Sequence, residues 1–179
     1  GRGPECQFVF LGKTNDFAIP NVLNQVTEIG LIRSSLPGYA SLAVYPYEKE
    51  EIVAICRPEH PLMQSGSIID ISLLADYPLA VPFDCLDLVR SSFGHHLLAP
   101  NISIITSSNA TAIEWARSFK TVALASLTAA DFQHIRDLTV KHFSDENLFI
   151  TSAFIVNKEY PLSHAARNFL RFHGVEGGG

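Results

Sequence analysis

Residues 50–82 read EEIVAICRPEHPLMQSGSIIDISLLADYPLAVP, and this stretch decides the fold class. Ile52-Val53-Ala54-Ile55-Cys56 is an unbroken apolar run of strand length, rich in β-branched residues and too short for a helix. Arg57-Pro58 and His60-Pro61 follow. Each proline pushes the residue before it out of the α region, so the chain leaves the sheet extended. Asp70 then precedes Ile71, Leu73 and Leu74, the pattern of a short capped helix, which Tyr77-Pro78 ends. Leu79-Ala80-Val81 opens a second strand, closed by Pro82.

The same alternation extends in both directions. Cys6 to Leu11 reads as a strand ending at Gly12, followed by a helix carrying Phe17, Ile19, Val22, Leu23 and Val26, with Asn15 or Asp16 as its cap and Pro20 near its first turn. Ile29 to Ile32 is the next strand, and strand, helix, strand over some thirty residues is a βαβ unit with a parallel crossover. Leu36-Pro37-Gly38 is a turn. Leu42 to Tyr45 and Glu51 to Ile55 suggest two strands about a charged turn at Glu48-Lys49-Glu50. Beyond Pro82, Leu86 to Phe93 has helical spacing with Gly94 as its stop. Ile102 to Ile105 is a strand, Ala110 to Phe119 a helix, Val122 to Ala125 a strand and Thr128 to Phe132 a capped helical turn. Leu138 to Phe143 alternates as a strand with one exposed face, Leu148 to Val156 is a long strand, Ser163 to Phe172 the last helix, and Gly177-Gly178-Gly179 a tail. Alternating strands and helices argue for an α/β fold with parallel-dominated sheets flanked by helices.

Composition narrows the function classes. Of 179 residues, 47% are apolar and 17% charged, an ordinary globular balance with room for a real core, as one domain or two small lobes. No apolar run approaches the roughly 20 residues of a membrane span, and no secretion signal opens the chain. Cys6, Cys56 and Cys85 are odd in number and lack paired spacing, which fits a reducing cytoplasm. Thirteen Lys and Arg against eighteen Asp and Glu leave a net charge of −5, so this segment lacks the basic surface that grips a duplex. No Gly-x-Ser-x-Gly elbow, Cys-x-x-Cys pair, phosphate loop or dinucleotide fingerprint is present, and no catalytic residue or cofactor is assigned. His95 and His96 are adjacent and do not share a helix face, so no metal site is assigned either.

The strand EEIVAIC, the tripeptide His60-Pro61-Leu62 and the run SIIDISLLADYPLAVP resemble the effector-binding domain of the LysR-type bacterial transcriptional regulators. Upstream, Val22 to Ile32 is similar to that family's helix end and following strand, with Gln25 for the usual glycine and Glu28 for the usual aspartate. Downstream, Pro161 to Leu170 is similar to its terminal helix. The resemblance implies a two-lobed, type II periplasmic-binding-protein-like fold: lobe one residues 1–77 with 152–179, lobe two residues 78–151, joined by two crossing strands around a ligand cleft. It implies a cytoplasmic regulatory domain that does no chemistry, binds a small-molecule effector, forms a homodimer or tetramer, and meets promoter DNA only through an N-terminal helix-turn-helix domain, with no membrane partner. That DNA-binding segment is not read in this chain. Nor are the strand and helix that in the family precede the match at Cys6. A solute-binding protein of a transport system has the same architecture and is the alternative.

In an open α/β sheet, ligands sit beyond the carboxyl ends of strands, where N–H groups at helix starts hold anions. Thr106-Ser107-Ser108-Asn109 lies between a strand and a helix and offers three hydroxyls and an amide. Ser108 or Asn109 as a plain helix cap is the competing reading. The resemblance favours binding, because the position matching Ser108 contacts effector in several family members. Arg33 follows the strand Gly30 to Ile32 and is a candidate carboxylate clamp. Pro82 and Phe83 can supply an apolar wall, with Phe83 alternatively core, and Ser126 ends the strand Val122 to Ala125 with its hydroxyl available to a ligand or a cap. His60 belongs to its proline turn, and Trp115 to core or interface.

Overall fold

The computed structural model describes residues 15–34, 39–118 and 120–175, without the side chains of residues 15, 16 and 34. The expected strand over Cys6 to Leu11, the turn at Leu36 to Gly38, the caps at Asn15 or Asp16, the Phe119 helix end and the glycine tail lie outside the described residues and side chains. The chain divides into two compact units, residues 1–49 with 151–179, and residues 50–150.

The first unit holds helix α1 (Asn15–Leu23), strand β1 (Ile29–Ser34), the start of strand β2 (Leu42–Cys56), most of strand β8 (Phe149–Asn157) and helix α4 (His164–Phe172). Strand β1 runs antiparallel to β8, with Gly30 opposite Ile155 and Arg33 opposite Ser152. Side chains of a strand alternate between faces, and here each face has its own helix. Ile32, Ala153 and Ile155 pack with Ala18 and Val22 of α1, whereas Ile29, Phe154 and Val156 pack with Ala166 and Leu170 of α4. Gly30 permits the α1 contact: a Cβ there would stand 2.9 Å from Ile155 Cγ1 and 3.0 Å from Val22 Cγ2.

The second unit begins with the apolar half of β2, whose five residues Ile52 to Cys56 are fully buried. It continues through β3 (Ile68–Ile69), β4 (Leu79–Pro82), helix α2 (Leu86–His95), β5 (Ile102–Thr106), helix α3 (Asn109–Ser118), β6 (Val122–Leu127) and β7 (Thr139–Phe143). Strand β4 is parallel to both β5 and β6, β2 is antiparallel to β6 and β7, and β3 is parallel to β7. The sheet is thus mixed. A strand covered on both faces has no polar side to show, which is why Ile52 to Cys56 reads as a continuous run. Ile52, Ala54 and Cys56 share a core with Val89 and Phe93 of α2; Val53 and Ile55 share another with Ala112, Ile113 and Ala116 of α3, against which Trp115 also packs. Burial pushes the Cys56 thiol up to about 11, against an opposing pull from Lys141.

Around the deciding stretch, the short elements form where the sequence places them. His60 caps a 3-10 turn over Pro61–Gln64, its Nδ1 accepting from Leu62 N–H at 3.0 Å. Asp70 caps a second over Ile71–Leu74, accepting from Ser72 N–H at 2.9 Å, and the Ser72 bonds hold its carboxyl below the usual range. Elsewhere the structure differs from the expectation. Leu42 to Cys56 is one strand of fifteen residues, not two about a turn. Glu48-Lys49-Glu50 contains no residue with a turn preference, and its charges mark a solvated stretch of a continuous strand. Pro20 lies inside α1, beyond its first turn, and α2 runs through Gly94 to His95 before the chain reverses. No described helix is long and apolar enough to cross a membrane.

Candidate functional site

Strands β4, β5 and β6 run the same way, so their carboxyl ends lie on one side of the second unit's sheet. Pro82 ends β4 directly opposite Thr106, the last residue of β5. The structure therefore brings Pro82, Phe83, Thr106, Ser107, Ser108, Asn109 and Ser126 to one sheet edge. Phe83 is 46% exposed, which removes its reading as core, while Pro82 is buried.

The turn is tied down from within. Thr106, 4% exposed, donates its hydroxyl to the Ser108 carbonyl at 2.8 Å, which fixes the chain as it leaves the strand. The Ser108 hydroxyl accepts from Thr111 N–H at 3.2 Å and pairs with the Thr111 hydroxyl at 3.0 Å, so Ser108 is the N-cap of α3. Asn109 reaches across to β6. Its Nδ2 donates to the Ser126 carbonyl at 2.8 Å and to Ser126 Oγ at 3.2 Å, and its Oδ1 accepts from Ser126 N–H at 3.1 Å. The amide thus imitates one more rung of sheet between α3 and β6, and Ser126, 1% exposed, is its anchor.

Two kinds of residue result. Thr106, Asn109 and Ser126 hold the turn's shape; Ser107 and Ser108 are exposed at the start of a ten-residue helix whose first N–H groups have no acceptor within it. The partial positive charge of that helix start favours negative charge beside it. Thr111, whose hydroxyl joins Ser108 on the same turn, is absent from the sequence reading. A signal was present: Ser108 and Thr111 stand three apart, the spacing of a cap and its N3 partner.

Arg33 belongs to the first unit. It lies within β1 rather than after it, on the face that Leu31 shares with α4, and it is half-buried and engaged in an interaction of its own. A cavity of about 770 Å³ in the same unit, walled by Tyr45, Tyr160, Leu162, Arg167 and Arg171 among others, includes none of the expected residues.

A search of curated proteins found no match. Solved structures gave many. The effector binding domain of QuiR in complex with shikimate is 18% identical with a TM-score of 0.70, the match covering 89% of this chain and 76% of that one. The regulatory domain of MetR, a LysR family regulator from N. meningitidis, is 15% identical with a TM-score of 0.70, covering 87% and 72%. Full-length CbnR complexed with its target DNA is 16% identical with a TM-score of 0.67, covering 91% of this chain and 59% of that one. At these identities the likeness is one of fold, that of a type II periplasmic-binding-protein-like domain. The family model of the LysR substrate binding domain matches residues 2–174, nearly the whole sequence, and the chain belongs to that family, the ligand-sensing regulatory domains of LysR-type transcription factors.

Proposed function

We propose that this domain senses a small organic carboxylate held at the β5–α3 turn, with Ser107, Ser108 and the first N–H groups of α3 on the carboxylate and Phe83 against the ligand's apolar body. The observation that carries this reading is the division of labour at the turn: Asn109 and Ser126 fix it rigidly, and two exposed serines are left at a helix start that favours negative charge. Arg33 is kept as a candidate carboxylate clamp on its guanidinium chemistry alone. The domain does no chemistry. An effector alters the regulator's output only if it binds one conformational state more tightly than another. In the full regulator, a cytoplasmic homodimer or tetramer, that shift would be passed to promoter DNA through the N-terminal domain.

A thermal-shift screen against small organic acids tests this, beginning with shikimate, the ligand of the QuiR domain. A ligand that binds only the folded state adds about 2.7 kcal/mol of stability at a hundredfold excess over its dissociation constant. The expected result is a hit whose shift is lost in Ser108→Ala and reduced in Arg33→Ala. A hit indifferent to Ser108→Ala removes the turn as the seat.

A further inference from the structure

Another cavity opens in the second unit. It measures about 450 Å³ and is lined by Arg57, Glu59, His60, Pro61, Tyr77 and Lys120. None of these residues belongs to the β5–α3 turn. The prolines and the capped turn described above build it, since His60 and Pro61 open the Pro61–Gln64 turn and Tyr77 closes the segment after Ile71–Leu74.

His60 is the informative residue. The residue is 8% exposed and its ring packs edge to face on Tyr77, centroids 4.8 Å apart. Nδ1 accepts from Leu62 N–H, which places the proton of the neutral ring on Nε2. Burial lowers the ring's pKa below 6.5, so that neutral form is the one present at pH 7. The Nε2 donor makes no hydrogen bond among the described residues, and His60 lines the cavity, which leaves that N–H open to an acceptor there. A fixed donor facing a cavity, with no acceptor from the protein, is placed to bond a ligand's acceptor.

The charges at the rim indicate which acceptor. Arg57 uses Nε on Glu59 at 3.3 Å, leaving its two terminal nitrogens without a protein partner among the described residues, and Lys120 is exposed and likewise unpaired. Two cations against one carboxylate favour an anion, and the Pro61 and Tyr77 rings supply a flat apolar wall. We propose that this cavity binds a small organic carboxylate with a planar apolar body, the carboxylate accepting from His60 Nε2 between Arg57 and Lys120, and the body lying on Pro61 and Tyr77.

Phenylacetate is a suitable probe, with phenylacetamide as its uncharged counterpart. Nitrogen-detected spectra of the histidine rings and the Tyr77 ring signals are followed during titration of the whole chain. Phenylacetate is expected to move the His60 Nε2 and Tyr77 signals saturably, and phenylacetamide to leave them in place. The Arg57→Gln/Lys120→Gln double variant changes only exposed side chains and is expected to bind about tenfold more weakly, the loss of about one charge-assisted hydrogen bond. Equal responses to acid and amide would overturn the anion assignment. No saturable shift at His60, or one untouched by the double variant, would overturn the site. Loss of the shift in Ser108→Ala would assign the binding to the β5–α3 turn and likewise overturn it, whereas failure of the turn to bind any effector leaves this cavity's titration unchanged.

Discussion

Each compact unit starts a helix with a serine cap, and the two caps are completed differently. In the first unit, Ser163 Oγ accepts from Ala166 N–H at 3.1 Å, and Glu28 receives both the Ser163 N–H and the Ser163 hydroxyl at 2.7 Å. The helix start there carries an anion of the chain's own. In the second unit, Ser108 caps α3 with the same geometry, but its neighbours are Thr111 and Thr106, and no carboxylate of the described residues is bonded to it. Helix starts attract negative charge in either case. In the first unit the chain fills the position itself; under the proposed reading, the second unit leaves it to a ligand.

The sharpest way to break that comparison is to empty the first site. Glu28→Ala removes a carboxylate that accepts two short hydrogen bonds and tethers the loop before β1 to the start of α4. A loss of about 2 kcal/mol is expected, seen as a melting temperature lower by about 4–8 °C. Small carboxylates such as acetate, added in excess, should recover part of that loss, because the vacated position keeps its donors. A loss below about 0.5 kcal/mol would mean that Glu28 is only a solvated neighbour of the cap, and the contrast between the two helix starts would fail.

The caps themselves sharpen the contrast by what they share. Ser163→Ala and Ser108→Ala each remove one N-cap acceptor, and each is expected to lower stability by about 1 kcal/mol in denaturant unfolding. Their effects on ligand should diverge. The stabilisation given by an effector acid should survive Ser163→Ala nearly intact and vanish in Ser108→Ala. If the two variants lose ligand equally, the loss follows from stability alone, and Ser108 is a cap and nothing more.

Much of this was legible before any coordinates. The deciding stretch 50–82 forms the strand, the two capped turns and the second strand that its prolines, Asp70 and apolar run specify, because each of those signals acts within a few residues. The Thr106 to Asn109 cluster was visible for the same reason. What escaped depended on partners far away in sequence. Nothing local marks Asn109 as a strap to Ser126, seventeen residues on, or Glu28 as the carboxylate of a cap 135 residues later. The sequence predicts two strands where β2 is one of fifteen residues, because a run of charges in the solvated part of a long strand resembles a turn. The apolar pattern ends β1 before Arg33, whereas the strand continues two residues past its last apolar side chain.

The smallest effect concerns the opposite ends of two other helices, and here the units agree. After α1, Gln25 N–H donates to the Val22 carbonyl and Val26 N–H to the Asn21 carbonyl, with Gln25 at φ 58°. After α2, Leu97 N–H donates to the Gly94 carbonyl and Leu98 N–H to the Phe93 carbonyl, with Leu97 at φ 57°. Both are Schellman closures whose left-handed residue is ordinarily glycine. A side chain in that conformation costs about 1–2 kcal/mol, and replacing it by glycine returns part of this after the entropy that glycine adds to the unfolded chain. Gln25→Gly and Leu97→Gly are each expected to stabilise by about 0.5 kcal/mol, a small upward shift of the denaturation midpoint at unchanged slope. Leu97 is 95% exposed, so its variant loses no buried surface and gives the cleaner reading. Should Leu97→Gly destabilise instead, that exposed leucine must be covered in the molecule as it exists in solution, by another part of the chain or by another copy. Light scattering of Leu97→Gly beside the unaltered chain would separate those two cases, since only covering by a second copy makes the association state change with the substitution.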